Sequence, residues 1–256
     1  MTSTRKRQIR DLLKGIETGD PSSVEVVNEA KYIQHNPHNR EGSEGLAELF
    51  ARLALTSPRV NVVRVFEDRD YVFAHTEYDF DELVIGFEVF RFEGGFAVEH
   101  WDNLQAKVDA PNPSGHTMTD GQTEVAGLDD TEANRELVRS FAEEVLIDGR
   151  LERLSDYVDA AVYTEHNPYL PDDLSGLRSA LSPAGVDRSR TADYQRVHRV
   201  LAEGDSVLTV SEGFRSAVHS SFYDLFRVAN GKVVEHWDTT TAVPPRSEWK
   251  NDNGKF

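Results

Sequence analysis

The sequence VEHWD stands at residues 98–102 and again at residues 234–238. Each copy ends a run with the pattern of a β-hairpin. The turns are predicted at Gly94-Gly95 and at Asn230-Gly231, where the positive φ of a tight primed turn costs little. The two copies therefore belong to matching strands, and the rest of the fold can be worked out from them.

A second pair of matching segments lies upstream, YIQHNP at residues 32–37 and YTEHNP at residues 163–168. The offsets are 166 − 35 = 131 for this motif and 236 − 100 = 136 for the first. Two motifs that recur in the same order at nearly the same offset indicate a duplicated domain. We predict a first domain at 1–108, a linker rich in Pro, Gly, Ser, Thr and Asp at 109–130, and a second domain at 131–256.

Hydrophobic periodicity predicts helices first and strands afterwards in each half, which is an α+β plan with the sheet curled over the helices. The predicted helices are approximately 4–18, a second one that ends near 31, 42–55, 132–147, 151–158 and 172–181. The predicted strands are 60–66, 71–78, 83–92, 96–105, 194–201, 207–214, 222–228 and 233–240.

The composition narrows the classes of partner. The 256 residues include 28 Lys+Arg and 45 Asp+Glu, a net charge of −17, which argues against nucleic acid or an anionic membrane as a partner. The charge is typical either of a salt-adapted cytoplasm or simply of an acidic protein. Without cysteine there are no disulfides or thiolate sites. The absence of a long apolar run predicts no membrane segment and a cytoplasmic protein.

Side chains alternate along a strand, so His100 and Asp102 should share one face while Glu99 and Trp101 share the other. Counting the register from the two turns puts Arg91, Arg227 and Tyr223 on the His and Asp face. A carboxylate beside an imidazole in a pocket suits proton transfer. The alternative is a structural pair in which the histidine only forms a hydrogen bond with the aspartate.

Three features together resemble a known family. They are Tyr-x-x-His-Asn-Pro, a glycine-containing helix start at residues 42–46, and a Phe-Arg-x-x-x-Gly hairpin that ends in Glu-His-Trp-Asp. They resemble the SnoaL-like branch of the nuclear transport factor 2-like superfamily, once in each half. The resemblance implies two tandem cone-shaped domains. Each would have three N-terminal helices on a curved, mainly antiparallel sheet of four or more strands, around a pocket. In polyketide cyclases of this branch it implies a cofactor-free acid–base reaction, while the superfamily also holds isomerases, dehydratases, epoxide hydrolases and members without catalysis.

The Tyr-x-x-His-Asn-Pro residues could polarise a carbonyl or orient a water on the pocket wall, or could simply form a helix-to-strand corner. The expected catalytic residues are Asp238, His236, His166, Asp102, His100 and His35. The expected substrate-binding residues are Tyr163, Asn167, His198, Tyr223, Arg227, Tyr32, Asn36 and Arg91. His198 occurs only in the second half, which makes that half the stronger candidate for chemistry.

The spacing of His35, His38, His100 and Asp102 fits no metal pattern, so neither a metal nor a cofactor is expected. The sequence predicts an acid–base enzyme that acts on a small carbonyl compound by aldol cyclisation, isomerisation or hydration. The alternative function is a non-catalytic module that binds a small molecule. The two halves are expected to pack as an intrachain pseudo-dimer through the Trp-bearing and Phe-bearing faces of their sheets, with further self-association left open.

Overall fold

The computed structural model describes residues 3–182 and 192–256, and the chain forms two compact units. Unit 1 comprises Met1–Lys107 and Pro244–Phe256, and unit 2 comprises Val108–Val243. The segment predicted as a linker therefore packs within unit 2, and the C-terminal segment packs within unit 1. The repeat boundaries and the pairing of the halves stay predictions.

Unit 1 is built on a five-stranded sheet in the order β1-β5-β4-β3-β2. The short β1 runs parallel to β5, and every other pair is antiparallel. Its strands are β1 Ile33–Gln34, β2 Arg59–Asp68, β3 Tyr71–Asp79, β4 Leu83–Glu93 and β5 Phe96–Ala106. Its helices are α1 Thr4–Thr18 and α2 Gly42–Leu53, with 3₁₀ turns at Pro21–Val26, Ala54–Thr56 and Arg246–Glu248.

The first helix shows why the sequence folds locally as predicted. The Ser3 side chain accepts a hydrogen bond from the backbone N–H of Lys6 and so caps α1. Gly19 ends the helix with φ 69°, a left-handed conformation that favours glycine. The buried residues Ile9 and Leu12 lie three positions apart and belong to the core of unit 1. The next predicted helix is only a 3₁₀ segment that ends at Val26, well before residue 31.

Unit 2 is built on a sheet of the same plan, in the order β6-β10-β9-β8-β7, with β6 parallel to β10. Its strands are β6 Thr164–Glu165, β7 Ala192–Glu203, β8 Ser206–Arg215, β9 Val218–Ala229 and β10 Lys232–Ala242. Its helices are α3 Thr131–Phe141, which continues as a π-helical turn Ala142–Ile147, α4 Leu154–Tyr157 and α5 Leu174–Leu181, with 3₁₀ turns at Leu128–Asp130 and Leu151–Arg153. The prediction of an α+β fold with two helix-covered sheets is confirmed.

Both predicted hairpin turns are confirmed, but the register that was counted from them is wrong by one residue. Ala229 faces Lys232 across the Asn230-Gly231 turn, as predicted. A bulge at Val234 then leaves Arg227 opposite Glu235, and the first hairpin shifts in the same way, with Arg91 opposite Glu99. A bulge adds one residue to one strand, so every later pair moves by one and its side chains change face.

In the two described ranges, no helix combines the length and the hydropathy that crossing a bilayer requires.

Candidate active site

A cavity of about 330 Å³ opens in unit 2 between its sheet and α5. Leu177 and Leu181 of α5 form part of the wall, and His236 and Asp238 of β10 also line the cavity. The remaining lining mixes apolar residues such as Leu170 and Phe222 with polar ones such as Arg215, and apolar walls with a few polar groups are usual in small-molecule sites. The VEHWD stretch of the second half therefore presents two titratable side chains to a space large enough for a small organic molecule.

Asn167 holds the carboxylate of Asp238. Its Nδ2 lies 2.9 Å from both Oδ1 and Oδ2 of Asp238. Asn167 is the second residue after the short strand β6, and the parallel pairing of β6 with β10 brings it beside Asp238. Asn167 itself lines the cavity, and its amide orients the carboxylate of Asp238 there.

His236 lies between two carboxylates. Its Nδ1 is 2.9 Å from Oε1 of Glu165, and its Nε2 is 3.3 Å from Oδ1 of Asp224. Tyr163 donates to Glu165 at 2.6 Å, and Tyr194 donates to Asp224 at 2.9 Å. Both ring nitrogens thus face acceptor oxygens, an arrangement that suits an imidazolium.

The charges in this network shift several pKa values. Burial raises the pKa of Asp238 to about 6; the charges of Glu165 and Asp224 act in the same direction, while the His236 charge opposes them. Burial alone would lower the pKa of His236, but the Glu165 charge and the hydrogen bonds to Asp224 and Glu165 raise it well above its usual value. Asp238 therefore titrates in the range in which a carboxyl group can both give and take a proton near neutral pH.

Unit 1 holds a corresponding cavity of about 250 Å³. Its walls are largely leucine and phenylalanine side chains from α1, α2 and the sheet, including Leu12, Leu49 and Phe90. His100 and Asp102 line it in the positions that His236 and Asp238 take in unit 2. The two cavities thus share one plan, and that of unit 1 has the smaller volume.

The carboxylate of unit 1 has a cation beside it. Asn36 donates to Oδ2 of Asp102 at 2.7 Å, as Asn167 does in unit 2. The ammonium of Lys255, from the C-terminal segment, lies 3.4 Å from Oδ1 of Asp102 and donates to its backbone carbonyl at 2.5 Å. Burial raises the pKa of Asp102, but the charges of Lys255 and His100 and the Asn36 hydrogen bond outweigh it, so the net pKa is lowered.

The hydrogen bonds of His100 are similar to those of His236, except that one partner differs. Its Nε2 is 2.6 Å from Oε2 of Glu88, to which Tyr78 donates at 2.7 Å. Its Nδ1 is 3.1 Å from Oε1 of Gln34, where unit 2 has the carboxylate of Glu165. The exchange of an amide for a carboxylate makes the network of unit 2 the more negative one.

The structure corrects the predicted placement of two histidines on the pocket wall. His35 stacks on Trp101 at 4.5 Å, and His166 stacks on Trp237 at 4.6 Å. Alternation along β5 and β10 puts these tryptophans on the face opposite the cavity, called the tryptophan face below. The physical reason is that successive residues of an extended segment point to opposite faces of the sheet. Because β1 pairs with β5, the following residues His35 and Asn36 point to different faces.

The bulges explain a second group of corrections. Arg91 binds Glu99 and Arg227 binds Glu235 on the tryptophan face, because the register moved by one residue. Tyr223 lies opposite Thr239 instead of Asp238 and shares that face. His198 stands at a bulge of β7 and contacts Glu212 at 3.0 Å, away from the cavity. Tyr32, in contrast, lines the cavity of unit 1, whereas Tyr163 lines a separate cavity of about 20 Å³ in unit 2, next to Leu177, Tyr194 and His236.

Sequence reasoning missed seven residues that complete the two networks: Gln34, Glu88, Glu165, Asp224, Tyr78, Tyr194 and Lys255. Glu88 and Asp224 lie opposite Asp102 and Asp238, and an unrecognised bulge hid that pairing. The sequence did hold one signal: Glu88 and Asp224 each lie two residues before the phenylalanine of the hairpin motif, Phe90 or Phe226, and therefore share its face of the strand. Lys255 left no signal, because its contact with Asp102 spans 153 residues.

No protein-family model matches this sequence, and no curated protein matches it. Solved structures do show similarity. TsrD from Streptomyces laurentii is 18% identical and aligns over 41% of this chain and 92% of its own, with a TM-score of 0.36. An LEH-like epoxide hydrolase of M. tuberculosis is 15% identical over 44% of this chain and 85% of its own, with a TM-score of 0.35. An NTF2-like protein of unknown function from Cytophaga hutchinsonii is 16% identical over 41% and 93%, with a TM-score of 0.35.

Proposed function

We propose that unit 2 catalyses a cofactor-free acid–base reaction on a small carbonyl compound, such as an aldol cyclisation, an isomerisation or a hydration. The observation that carries the proposal is Asp238, a carboxyl group with a pKa of about 6 that Asn167 holds inside a cavity. In its ionised form Asp238 removes a proton from carbon, and in its protonated form it returns one. A group with a pKa near the working pH is suited to both steps.

The surrounding groups supply the complementary charge. His236 lies between Glu165 and Asp224, and its raised pKa makes it a cation whose charge acts on the cavity through space, because both of its ring nitrogens already face those two carboxylates. Leu177, Leu181 and Phe222 provide apolar walls that exclude water from the reacting carbon. The proposal thus assigns Asp238 as base and acid, and His236 as the electrostatic partner.

For unit 1 we propose the alternative function, binding without proton transfer. Lys255 and Asn36 both contact Asp102, and the pKa of this carboxyl is lowered. A carboxylate that is neutralised in this way is a weak base, while the leucine-rich walls of the cavity suit an apolar molecule. Unit 1 would then bind a ligand of similar shape, or stabilise the chain, without turnover.

The test uses 5-nitrobenzisoxazole, a small aromatic probe whose isoxazole ring opens when a base removes the proton on C3: a nitrile forms, the N–O bond breaks, and the oxygen leaves as a phenolate. The product phenolate is followed by its visible absorption. The full chain is expected to accelerate the reaction with a pH profile that inflects near pH 6, because only ionised Asp238 acts as the base. Asp238→Asn should lower the rate by roughly 10²–10⁴-fold, the usual contribution of a general base.

The matched control is Asp102→Asn, which makes the same change at the corresponding position of unit 1. It is expected to keep most of the activity, because Lys255 already neutralises Asp102. Full activity in Asp238→Asn, or equal losses in both variants, would contradict the assignment of the base to unit 2. A folded Asp238→Asn chain that still binds the probe without turnover would support it.

A further inference from the structure

His166 of unit 2 is surrounded by more acceptor oxygens than its ring has protons to offer when neutral. Its Nδ1 lies 2.7 Å from Oδ1 of Asp120 and 2.9 Å from the carbonyl oxygen of Thr117. Its Nε2 lies 3.0 Å from Oε1 of Glu235. The ring itself is fully buried and stacks on Trp237, so its orientation is fixed.

A second imidazole stands in the same cluster. Nδ1 of His116 lies 3.9 Å from Oδ2 of Asp120, and its Nε2 lies 3.0 Å from Oδ2 of Asp172. Ligand atoms of His116, Asp120 and His166 all lie within 4.8 Å of one another. Three carboxylates, Asp120, Asp172 and Glu235, thus surround two imidazoles, which gives the cluster an excess of negative charge.

From this geometry we propose that unit 2 binds a divalent transition-metal ion, represented by Zn²⁺, between Nδ1 of His116, a carboxylate oxygen of Asp120 and Nδ1 of His166. Two imidazoles and a carboxylate are the donor set that suits Zn²⁺ and its neighbours in the first transition row. The Thr117 carbonyl or water completes the coordination. The proposal concerns the tryptophan face of the sheet and is separate from the acid–base site in the cavity.

The distances suit this ion after a small adjustment. Zn–N and Zn–O bonds of about 2.0–2.2 Å put tetrahedral ligand atoms roughly 3.3 Å apart. Oδ1 of Asp120 must move about half an ångström away from Nδ1 of His166, from 2.7 Å. Nδ1 of His116 lies 3.9 Å from the other oxygen of this carboxylate, Oδ2, and the three ligand atoms lie within 4.8 Å of one another, so the ring of His116 must move toward the ion. Asp120 and His116 are both partly exposed, so their side chains have room to move.

The contact on the far side of His166 is the feature that most resembles a metal site. A metal-bound histidine generally donates its other N–H to a carboxylate, which fixes the tautomer and makes the ring a better ligand. Glu235 occupies this position on Nε2, and Arg227 anchors Glu235 from the opposite strand. Nδ1 of His166 is then left facing Asp120 and His116.

Unit 1 offers an internal comparison. His35 has the same stacked position, with Nε2 at Glu99 and Nδ1 2.9 Å from the Gly254 carbonyl. Among the described residues, the clusters with metal-ligand geometry are the one proposed here and the group Glu88, His100 and Asp102. The ammonium of Lys255 at Asp102 supplies a positive charge in the second group and disfavours a metal there.

The experiment titrates Zn²⁺ alone into the full chain by calorimetry after treatment with a chelator and desalting. We expect one equivalent to bind, and we expect His116→Ala and Asp120→Asn each to weaken binding by roughly 10- to 100-fold, the scale on which metal-site partners act. His38→Ala, which removes an exposed histidine of unit 1, is the matched control and should bind as the wild type does. Far-ultraviolet circular dichroism verifies that each variant is folded.

A second measurement reports directly on the ligand residues. Co²⁺ in place of Zn²⁺ should give paramagnetically shifted proton resonances from two imidazoles, and His116→Ala should remove one of them. Failure of the wild type to bind Zn²⁺ would overturn the proposal, as would unchanged binding in His116→Ala and Asp120→Asn. Loss of the bound equivalent in Asp102→Asn instead would place the metal in unit 1 and would also overturn it.

Discussion

The substitution Lys255→Met removes the cation beside Asp102 while it keeps the length and most of the apolar volume of the side chain. Both groups are buried in unit 1, with 4% of Asp102 and 6% of Lys255 exposed. At their separation of 3.4 Å, two unit charges attract by about 5 kcal/mol at an effective dielectric constant of about 20. The lost desolvation cost of the ammonium offsets part of this, and unpairing a buried charge typically costs about 3–5 kcal/mol. We expect the variant to lose about 3 kcal/mol of unfolding free energy at pH 7.

The unfolding free energies of the wild type and of Lys255→Met should depend on pH in opposite directions. In the wild type the pKa of Asp102 is lowered in the folded state, so its contribution to stability is present above the unfolded pKa of about 3.8 and is lost as pH falls through the folded value. Without Lys255, burial is opposed only by His100 and Asn36, and the folded pKa should rise. The variant should then lose stability as pH rises. The difference between the two chains should therefore be large at pH 7 and small near pH 4.

Urea unfolding at both pH values measures this difference, with an intrinsic probe that reports on unit 1. Lys250→Met is the control, because Lys250 belongs to the same C-terminal segment but its side chain is exposed. We expect the control to change the unfolding free energy by less than about 0.5 kcal/mol. A loss in Lys255→Met that is equally large at both pH values would refute the reasoning, since it would show a packing defect instead of a lost charge pair.

Two further predictions concern unit 2 and the whole chain. Gly121→Ala should be more destabilising than Gly115→Ala by about 1–3 kcal/mol in chemical unfolding. Both glycines have positive φ, but of the two only Gly121 has atoms close to the position of a Cβ, which would lie 2.1 Å from Glu235 and 2.7 Å from Trp237. Equal losses would show that backbone strain alone matters at both positions. The net charge of −17 predicts a melting temperature that rises from low to molar salt, because screening weakens repulsion between carboxylates; an unchanged melting temperature would count against this.

Local pattern was sufficient to predict most of the fold. The Gly94-Gly95 and Asn230-Gly231 turns, the alternation along β5 and β10 and the helical spacing of Ile9 and Leu12 depend on interactions within a few residues. These signals are visible in the sequence because they follow from φ preferences and from periods of 2 and 3.6 residues. The 3₁₀ segment Pro21–Val26 is an exception, since competition between short helix types depends on tertiary packing.

The candidate site was predicted only in part, for two physical reasons. The bulges at Val98 and Val234 shift the register by one residue, and no local feature of β5 or β10 predicts a bulge there, so the positions of Glu88 and Asp224 opposite Asp102 and Asp238 were not predicted. The second reason is that some residues of the site contact each other although they are far apart in sequence. Lys255 reaches Asp102 across 153 residues, and His116 belongs to a segment that the sequence alone marks only as a linker.

The pKa of Asp102 is lowered, whereas the pKa of Asp238 is raised. Two neighbouring residues that differ between the units account for this difference. Asp102 and Asp238 each lie in the same strand position and each accept a hydrogen bond from the asparagine of the upstream motif. Unit 1 adds the ammonium of Lys255, which favours the ionised form of its carboxyl group.

Unit 2 instead puts Glu165 where unit 1 has Gln34, and this second negative charge favours the protonated form of Asp238 and the charged form of His236. Because a buried charge acts on every titratable group within a few ångströms, one amide-to-carboxylate exchange alters both members of the pair. Two units with sheets of the same plan can thus hold a neutralised carboxylate in one unit and a proton-exchanging one in the other, while the histidine and aspartate of VEHWD and the asparagine upstream stay the same.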